Sequence, residues 1–176
     1  VEKMLKKKGD DNAVLRGLIK ASEEGQKNLV EKLEKMNLDP NCRTNASDAT
    51  FRARFTEISK LTSENTFSSM NIMAGFDWAI AVRSHMKEST KYFSAYLYVF
   101  SVPQSWSCTA FFTIKLVRQG VKGEPMAHTA EVVFQSKNTS WGWAPFITFE
   151  ELLRPSNGYV KDDSIIMEAD LKIYPV

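Results

Sequence analysis

The chain has 176 residues, a formal net charge of +2, 43% hydrophobic and 25% charged residues. That suffices for one domain of ordinary size plus an extension, and leaves no charge excess that points to nucleic acid or a membrane surface. No apolar run approaches the ~18 residues of a spanning helix, and no signal-peptide pattern is visible.

The composition changes sharply near residue 38, because every Phe, Tyr and Trp follows that point. Lys6-Lys7-Lys8 is followed by Asp10 and Asp11 and reads as a solvated run. Residues 12–37 carry a helical pattern. Leu15, Ile19, Ser22, Gln26, Leu29, Leu33 and Met36 follow an alternating 4,3 spacing, one seam of a heptad repeat. Glu23–Lys27 and Glu31–Lys35 are i,i+4 pairs in the favoured order. Such a helix gains little stability alone, so its stripe needs a partner. The expectation is a coiled-coil segment over 1–37, with Leu15, Ile19, Leu29, Leu33 and Met36 as oligomerisation residues. A helix packed on its own domain is the competing reading. Residues 38–50 read as a linker, since Pro40 stops the helix and a polar stretch without periodicity follows.

From residue 51 the period becomes 2. Residues 51–58 alternate, and Trp78–Val82 follows the turn at Gly75. Residues 92–100 place Phe93, Ala95, Leu97 and Val99 on one face and Tyr92, Ser94, Tyr96 and Tyr98 on the other. Residues 106–116 place Trp106, Cys108, Ala110, Phe112, Ile114 and Leu116 opposite Ser107, Thr109, Phe111, Thr113 and Lys115. Residues 130–135 and 165–174 complete the set. Short strands joined by polar turns predict a mainly β chain, an antiparallel sandwich over residues 51–176. Thr148-Phe149-Glu150-Glu151 fits a capping box that opens a short helix ended by Pro155. Asn157-Gly158 and Asp162-Asp163 read as turns, which disfavours a catalytic carboxylate pair.

Catalysis finds little support. His85 and His128 lie in no metal-ligand spacing or nucleophile motif and read as strand-end histidines on the surface. Two cysteines, Cys42 and Cys108, make no disulfide framework or metal cluster, so a reducing, cytoplasmic setting is expected, and no cofactor. Asn45-Ala46-Ser47 and Asn138-Thr139-Ser140 are glycosylation triplets, a pattern of little specificity. The positive signal is aromatic. Tyr96 and Phe111 sit on the polar parity of their strands, where a large ring calls for a partner. Trp141-Gly142-Trp143 adds two more rings. A groove lined by these rings competes with a covered surface, in which the 148–153 helix or the N-terminal segment lies over them.

The stretch Phe51–Tyr174 resembles the meprin and TRAF homology (MATH) domain. The resemblance rests on Phe55–Leu61, Gly75-Phe76-Asp77-Trp78, Tyr92–Leu97, Trp141-Gly142-Trp143 and Asp162-Asp163-Ser164-Ile165, in that order. It implies an eight-stranded antiparallel sandwich that binds short extended peptides, and preceding helices that drive dimers or trimers. It places the groove at Tyr96, Phe111, Trp141 and Trp143, around Gly142. A further position falls on Val132 counted through Phe134, or on Val133 by strand parity. The family usually has Asp where this chain has Ser140, a Lys where it has Thr139, and in some members a Lys where it has Ala144. Polar peptide selectivity is therefore not transferable. The expected function is a non-catalytic peptide-binding adaptor, linked to ubiquitin ligation or signalling. The alternatives are an oligomeric scaffold docking a folded partner, or the targeting domain of a larger enzyme such as a deubiquitinase.

Overall fold

A computed structural model describes residues 47–175. The expected coiled coil, its five seam residues and Cys42 lie outside the described residues. Among the described residues nine strands run in chain order: β1 (Ser47–Phe55), β2 (Thr66–Phe67), β3 (Asn71–Met73), β4 (Phe76–Lys87), β5 (Thr90–Phe100), β6 (Ser107–Val117), β7 (Met126–Gln135), β8 (Ser140–Thr148) and β9 (Ile165–Pro175). They form two antiparallel sheets. One has the order β1-β9-β6-β7, and the other β2-β4-β5-β8 with β3 also paired to β4. The strand count exceeds the expected eight through β2 and β3, too short to carry a period-2 signature. β1 starts at Ser47, inside the expected linker, because Ser47–Thr50 pair with Ile173–Asp170. It also ends sooner than the alternation implied. Glu57 turns left-handed at φ 56° and Ile58 opens a short 3-10 helix, Ile58–Lys60.

Alternation along each strand decides what is buried. Phe93, Ala95, Leu97 and Val99 of β5 face Cys108, Ala110, Phe112, Ile114 and Leu116 of β6 within one core. Both rows follow the parity read from sequence. Trp78, Phe93, Phe112 and Phe134 are the largest fully buried side chains, and burial stabilises each by roughly 1.5–3 kcal/mol. Trp78 and Phe134 meet edge to face at 5.4 Å, and the Trp78 indole donates to the Met73 carbonyl at 3.0 Å. The buried indole N–H is therefore satisfied.

Outside the first sheet, one row of charges ties three strands together. Glu168 (β9) pairs with Arg52 (β1) and Lys115 (β6), and Lys115 also pairs with Asp170. Burial alone pushes the Glu168 carboxyl up, but hydrogen bonds from Arg52 and Lys115 outweigh it and hold the carboxyl below its ordinary value.

Helix α1 (Phe149–Leu153) begins as its sequence dictates, with the Thr148 hydroxyl accepting from the Glu151 N–H at 3.2 Å. Asp162 and Asp163 make a two-residue turn with φ of 51° and 52°, closed by reciprocal Lys161–Ser164 backbone bonds. Positive φ at both central residues is what a tight hairpin of this twist demands. The Asp163 carboxylate accepts from the Ser59 N–H at 2.8 Å and the Ser59 hydroxyl at 2.7 Å. It thus anchors the short 3-10 helix to the start of β9.

A last feature sets the β5–β8 contact. A Cβ on Gly142 would lie 2.2 Å from the Ala95 carbonyl oxygen and 2.5 Å from the Tyr96 Cα. Gly142→Ala should therefore force the strands apart and cost about 1–3 kcal/mol in chemical denaturation. Wild-type stability in that variant would contradict the close approach. Asp163 makes a second prediction. The Ser59 hydroxyl and then the Ser59 N–H hold its carboxyl below the ordinary 3.8, so its contribution is present above that pH and is lost as pH falls through the lower folded value. Asn tolerates the left-handed backbone at this position. Urea melts of wild type and Asp163→Asn should therefore show a stability gap at pH 7 that narrows below pH 4. A gap independent of pH would count against the tether.

Candidate functional site

The topology leaves two free sheet edges on one side of the sandwich. Among the described residues, β7 pairs only with β6, and β8 pairs only with β5. The two are consecutive, joined by a tight turn in which Gln135 and Asn138 exchange backbone hydrogen bonds. The Asn138 side chain donates to the Val133 carbonyl and so belongs to the turn.

Hydrogen-bond alternation fixes which groups of β8 are free. Val99 N–H donates to the Thr139 carbonyl at 2.9 Å, next to the pairs Tyr98–Ser140, Leu97–Trp141, Tyr96–Gly142 and Ala95–Trp143. Bonded and non-bonded pairs alternate along an antiparallel ladder. Trp141 and Trp143 therefore turn their backbone groups toward β5, while Ser140 and Gly142 turn theirs to the free edge. Past Trp143 the register shifts, and Pro145 has no N–H to offer. The usable edge is short.

Side chains on this edge divide by parity. Trp141 and Trp143 lie on the core side, opposite Leu97 and Ala95. Trp143 is half-buried. It packs on Phe112 at 5.7 Å and stacks with His128 of β7 at 5.3 Å. His128 also meets the Phe146 ring at 4.5 Å, and its Nε2 lies 3.2 Å from the Phe146 carbonyl oxygen. His128 is thus the wedge between the two edges rather than the surface histidine expected from sequence. Trp141, 47% exposed, is left as the open ring of the motif, while Ala130 and Val132 of β7 are half-buried. Across β8, Tyr96 covers Gly142, and the Tyr96 hydroxyl accepts from Arg83 Nη2 at 2.7 Å. His85 contacts the Ser94 hydroxyl at 2.8 Å and stacks on Tyr92.

Five of the sequence-derived positions therefore meet at one edge: Tyr96, Ser140, Trp141, Gly142 and Trp143. Val132 faces the core side with Ala110, its partner on β6, whereas Val133 faces outward with Thr109. Phe111 lies elsewhere. It points outward from the first sheet, beside Lys172 and Glu131, while Tyr96 points outward from the second. Phe111 lines an open depression of about 430 Å³ with Asp48, Thr50, Thr113, Asp170 and Lys172, apart from the β8 edge. The residues sequence reasoning missed are His128 and Arg83. Each sits at the in-or-out parity of a strand, but its partners come from neighbouring strands. No group of three or more His, Cys, Asp or Glu among the described residues could hold a metal ion.

Comparison with known proteins bears on the fold that carries this edge. The chain is 26% identical over 113 residues to "Ubiquitin C-terminal hydrolase 12" of Arabidopsis thaliana, covering 62% of this chain and 10% of that protein. It is 23% identical over 120 residues to "Ubiquitin C-terminal hydrolase 13" of the same plant, covering 66% of this chain and 11% of that protein. The chain thus spans about a tenth of the length of these relatives. A family model described as MATH domain matches residues 50–171, the span of the sandwich. The chain belongs to the MATH domain family, whose members are non-catalytic protein-interaction modules.

Proposed function

We propose that this domain binds a short extended segment of a partner protein along the free edge of β8. The observation that carries the reading is the outward-facing backbone of Ser140 and Gly142 beside the exposed Trp141. A strand added there exchanges main-chain hydrogen bonds with β8, and its alternate side chains fall to the two sides of the edge. One side offers Trp141, Trp143, Val132 and Ala130. The other offers Tyr96. Phe111 belongs to a different surface and is not part of this ligand path. Several such sites on one oligomer would raise avidity without new contacts, and the heptad seam of residues 12–37 is our candidate for that assembly. An intracellular, cytoplasmic setting follows from the sparse cysteines.

A second reading is favoured by the relatives. Both are described as ubiquitin C-terminal hydrolases, and the matched stretch covers only 10% and 11% of their lengths. In that reading the domain brings a ubiquitin-processing enzyme to its targets, and the edge is the targeting surface. The two readings share the β8 edge and differ in what the domain serves.

Trp141 is the clean probe, because it is exposed while Trp143 packs into the core. Trp141→Ala should lower affinity for a selected peptide by about 2 kcal/mol, roughly thirtyfold, with thermal stability unchanged. Equal binding by both proteins in a calorimetric titration would sink the edge assignment. Deletion of residues 1–37 should convert an oligomer to a monomer in light scattering. An unchanged mass would remove the helical segment from the proposal.

A further inference from the structure

The first sheet also ends in a free edge, and this one is unbroken. β7 runs Met126–Gln135 against β6 without a register shift. β8 by contrast breaks its register and carries Pro145. Folded proteins guard long, flat edges with lysine, proline or a bulge. β7 has none of these, and Glu131 is its one carboxylate. Met126, Ala130 and Val132 pack from this strand against the core, yet stay partly exposed.

Independent contacts fix which backbone groups of β7 point away from β6. Gln135 exchanges backbone bonds with Asn138, so its N–H and carbonyl face away from β6. The Val133 carbonyl accepts from the Asn138 side chain at 3.1 Å and faces the same way. Cys108 of β6 lies opposite Pro175, which has no N–H, and so turns its backbone groups to Phe134 instead. Alternation then leaves Ala127, Thr129 and Glu131 with both backbone groups on the open edge. Val133 keeps its N–H there. Pro125, just before β7, offers a carbonyl and no N–H.

This row is complementary to itself. An antiparallel copy centred on Thr129 sets Thr129 opposite Thr129 and Ala127 opposite Glu131, each pair exchanging both bonds. Val133 then meets Pro125. The absent proline N–H falls against the carbonyl that Asn138 already engages, and the Val133 N–H meets the proline carbonyl. Neighbouring centres fit less well. Centred on Ala130, the Ala127 N–H would meet the engaged Val133 carbonyl. Centred on His128, Pro125 would leave a Glu131 carbonyl unpaired. Centred on Glu131, two carboxylates would stand opposite each other, which is unfavourable across strands. Around Thr129 the outer face gains a Thr–Thr pair, a favourable cross-strand match, beside the existing 2.8 Å contact of the Thr129 and Thr113 hydroxyls. On the core side Ala130 would face His128 and Val132 would face Met126, which covers the half-buried row.

We propose that two copies of this chain pair antiparallel through β7 about a twofold axis at Thr129, joining their first sheets into one. The partner is a second copy because the missing donor and the engaged acceptor lie on the same strand and meet under that symmetry. The pairing uses the first sheet and does not depend on ligand binding at β8. A peptide on β8 and a copy on β7 would both draw on Ala130 and Val132, so the test is run without peptide. One strand on one strand is a modest contact beside a standard interface of roughly 1,200–2,000 Å². Dilute chains lacking residues 1–37 therefore stay monomeric in light scattering, and the pair is read by covalent trapping.

The test places single cysteines in the full chain in a Cys42→Ser background, Cys108 being buried in the core. Ala127, Thr129, Glu131 and Val133 are all exposed. Directly opposed residues of a bonded pair have Cα atoms about 5.5 Å apart, within disulfide reach. Under mild oxidation at high protein concentration, Thr129→Cys should form a covalent dimer about tenfold or more faster than Glu131→Cys or Val133→Cys. In those two variants the paired cysteines would lie about 13 and about 26 Å apart along the strands, at ~3.3 Å per residue. Co-expressed Ala127→Cys and Glu131→Cys chains should cross-link to each other and neither to itself. Adding Thr129→Lys to both, which sets like charges face to face, should abolish that cross-link with the thermal melt unchanged. Equal rates for Thr129→Cys, Glu131→Cys and Val133→Cys would mean random collision and overturn the register. No trapped dimer in any variant, with wild-type melts, would overturn the pairing and leave β7 to a strand of another protein.

Discussion

Gly142 lacks a side chain, and β8 uses that freedom to lie against the backbone and ring of Tyr96. The contact is a non-bonded pair of the ladder, where two strands approach most closely. It has two consequences. Trp141 and Trp143 spend their backbone groups on β5, and Ser140 and Gly142 are left with theirs facing outward. It also lets the Tyr96 ring lie close against Gly142, and Arg83 packs on that ring. A backbone edge, an apolar side and a cationic side thus follow from one close approach.

The core was legible in the sequence to the extent that alternation is a local property. Phe93 to Val99 and Cys108 to Leu116 are buried as their period-2 pattern requires. The Thr148 cap and the Asp162-Asp163 turn were legible for the same reason, since their chemistry is completed within a few residues. The aromatic surface was not. Tyr96 and Phe111 both read as outward, and both are outward, but from opposite sheets. Alternation tells which side of its own strand a residue takes, and says nothing about which sheet the strand joins. Trp143 shows the complementary limit. Its half-burial depends on Phe112 and His128, which come from strands distant in the chain.

The same reasoning separates stability from recognition within one short motif. Trp143 is braced by His128, Phe112 and Phe146 and belongs chiefly to the packing that closes the two sheets. Trp141 is two residues away on the same side, yet lies beyond the reach of that packing. Gly142 between them serves both ends, because its absent side chain sets the strand spacing and opens the edge. Substitutions in this motif therefore differ in kind. Only those at Trp141 would test the proposed binding without removing a ring that packs against the core.

The account depends on Gly142 facing outward. Amide hydrogen exchange resolved by residue reads this directly in the free domain. The Trp141 and Trp143 amides, bonded to β5, should be protected, and those of Ser140 and Gly142 should exchange orders of magnitude faster. Protection of Gly142 equal to that of its two tryptophan neighbours would mean that the edge is already occupied or turned away, and would contradict the account.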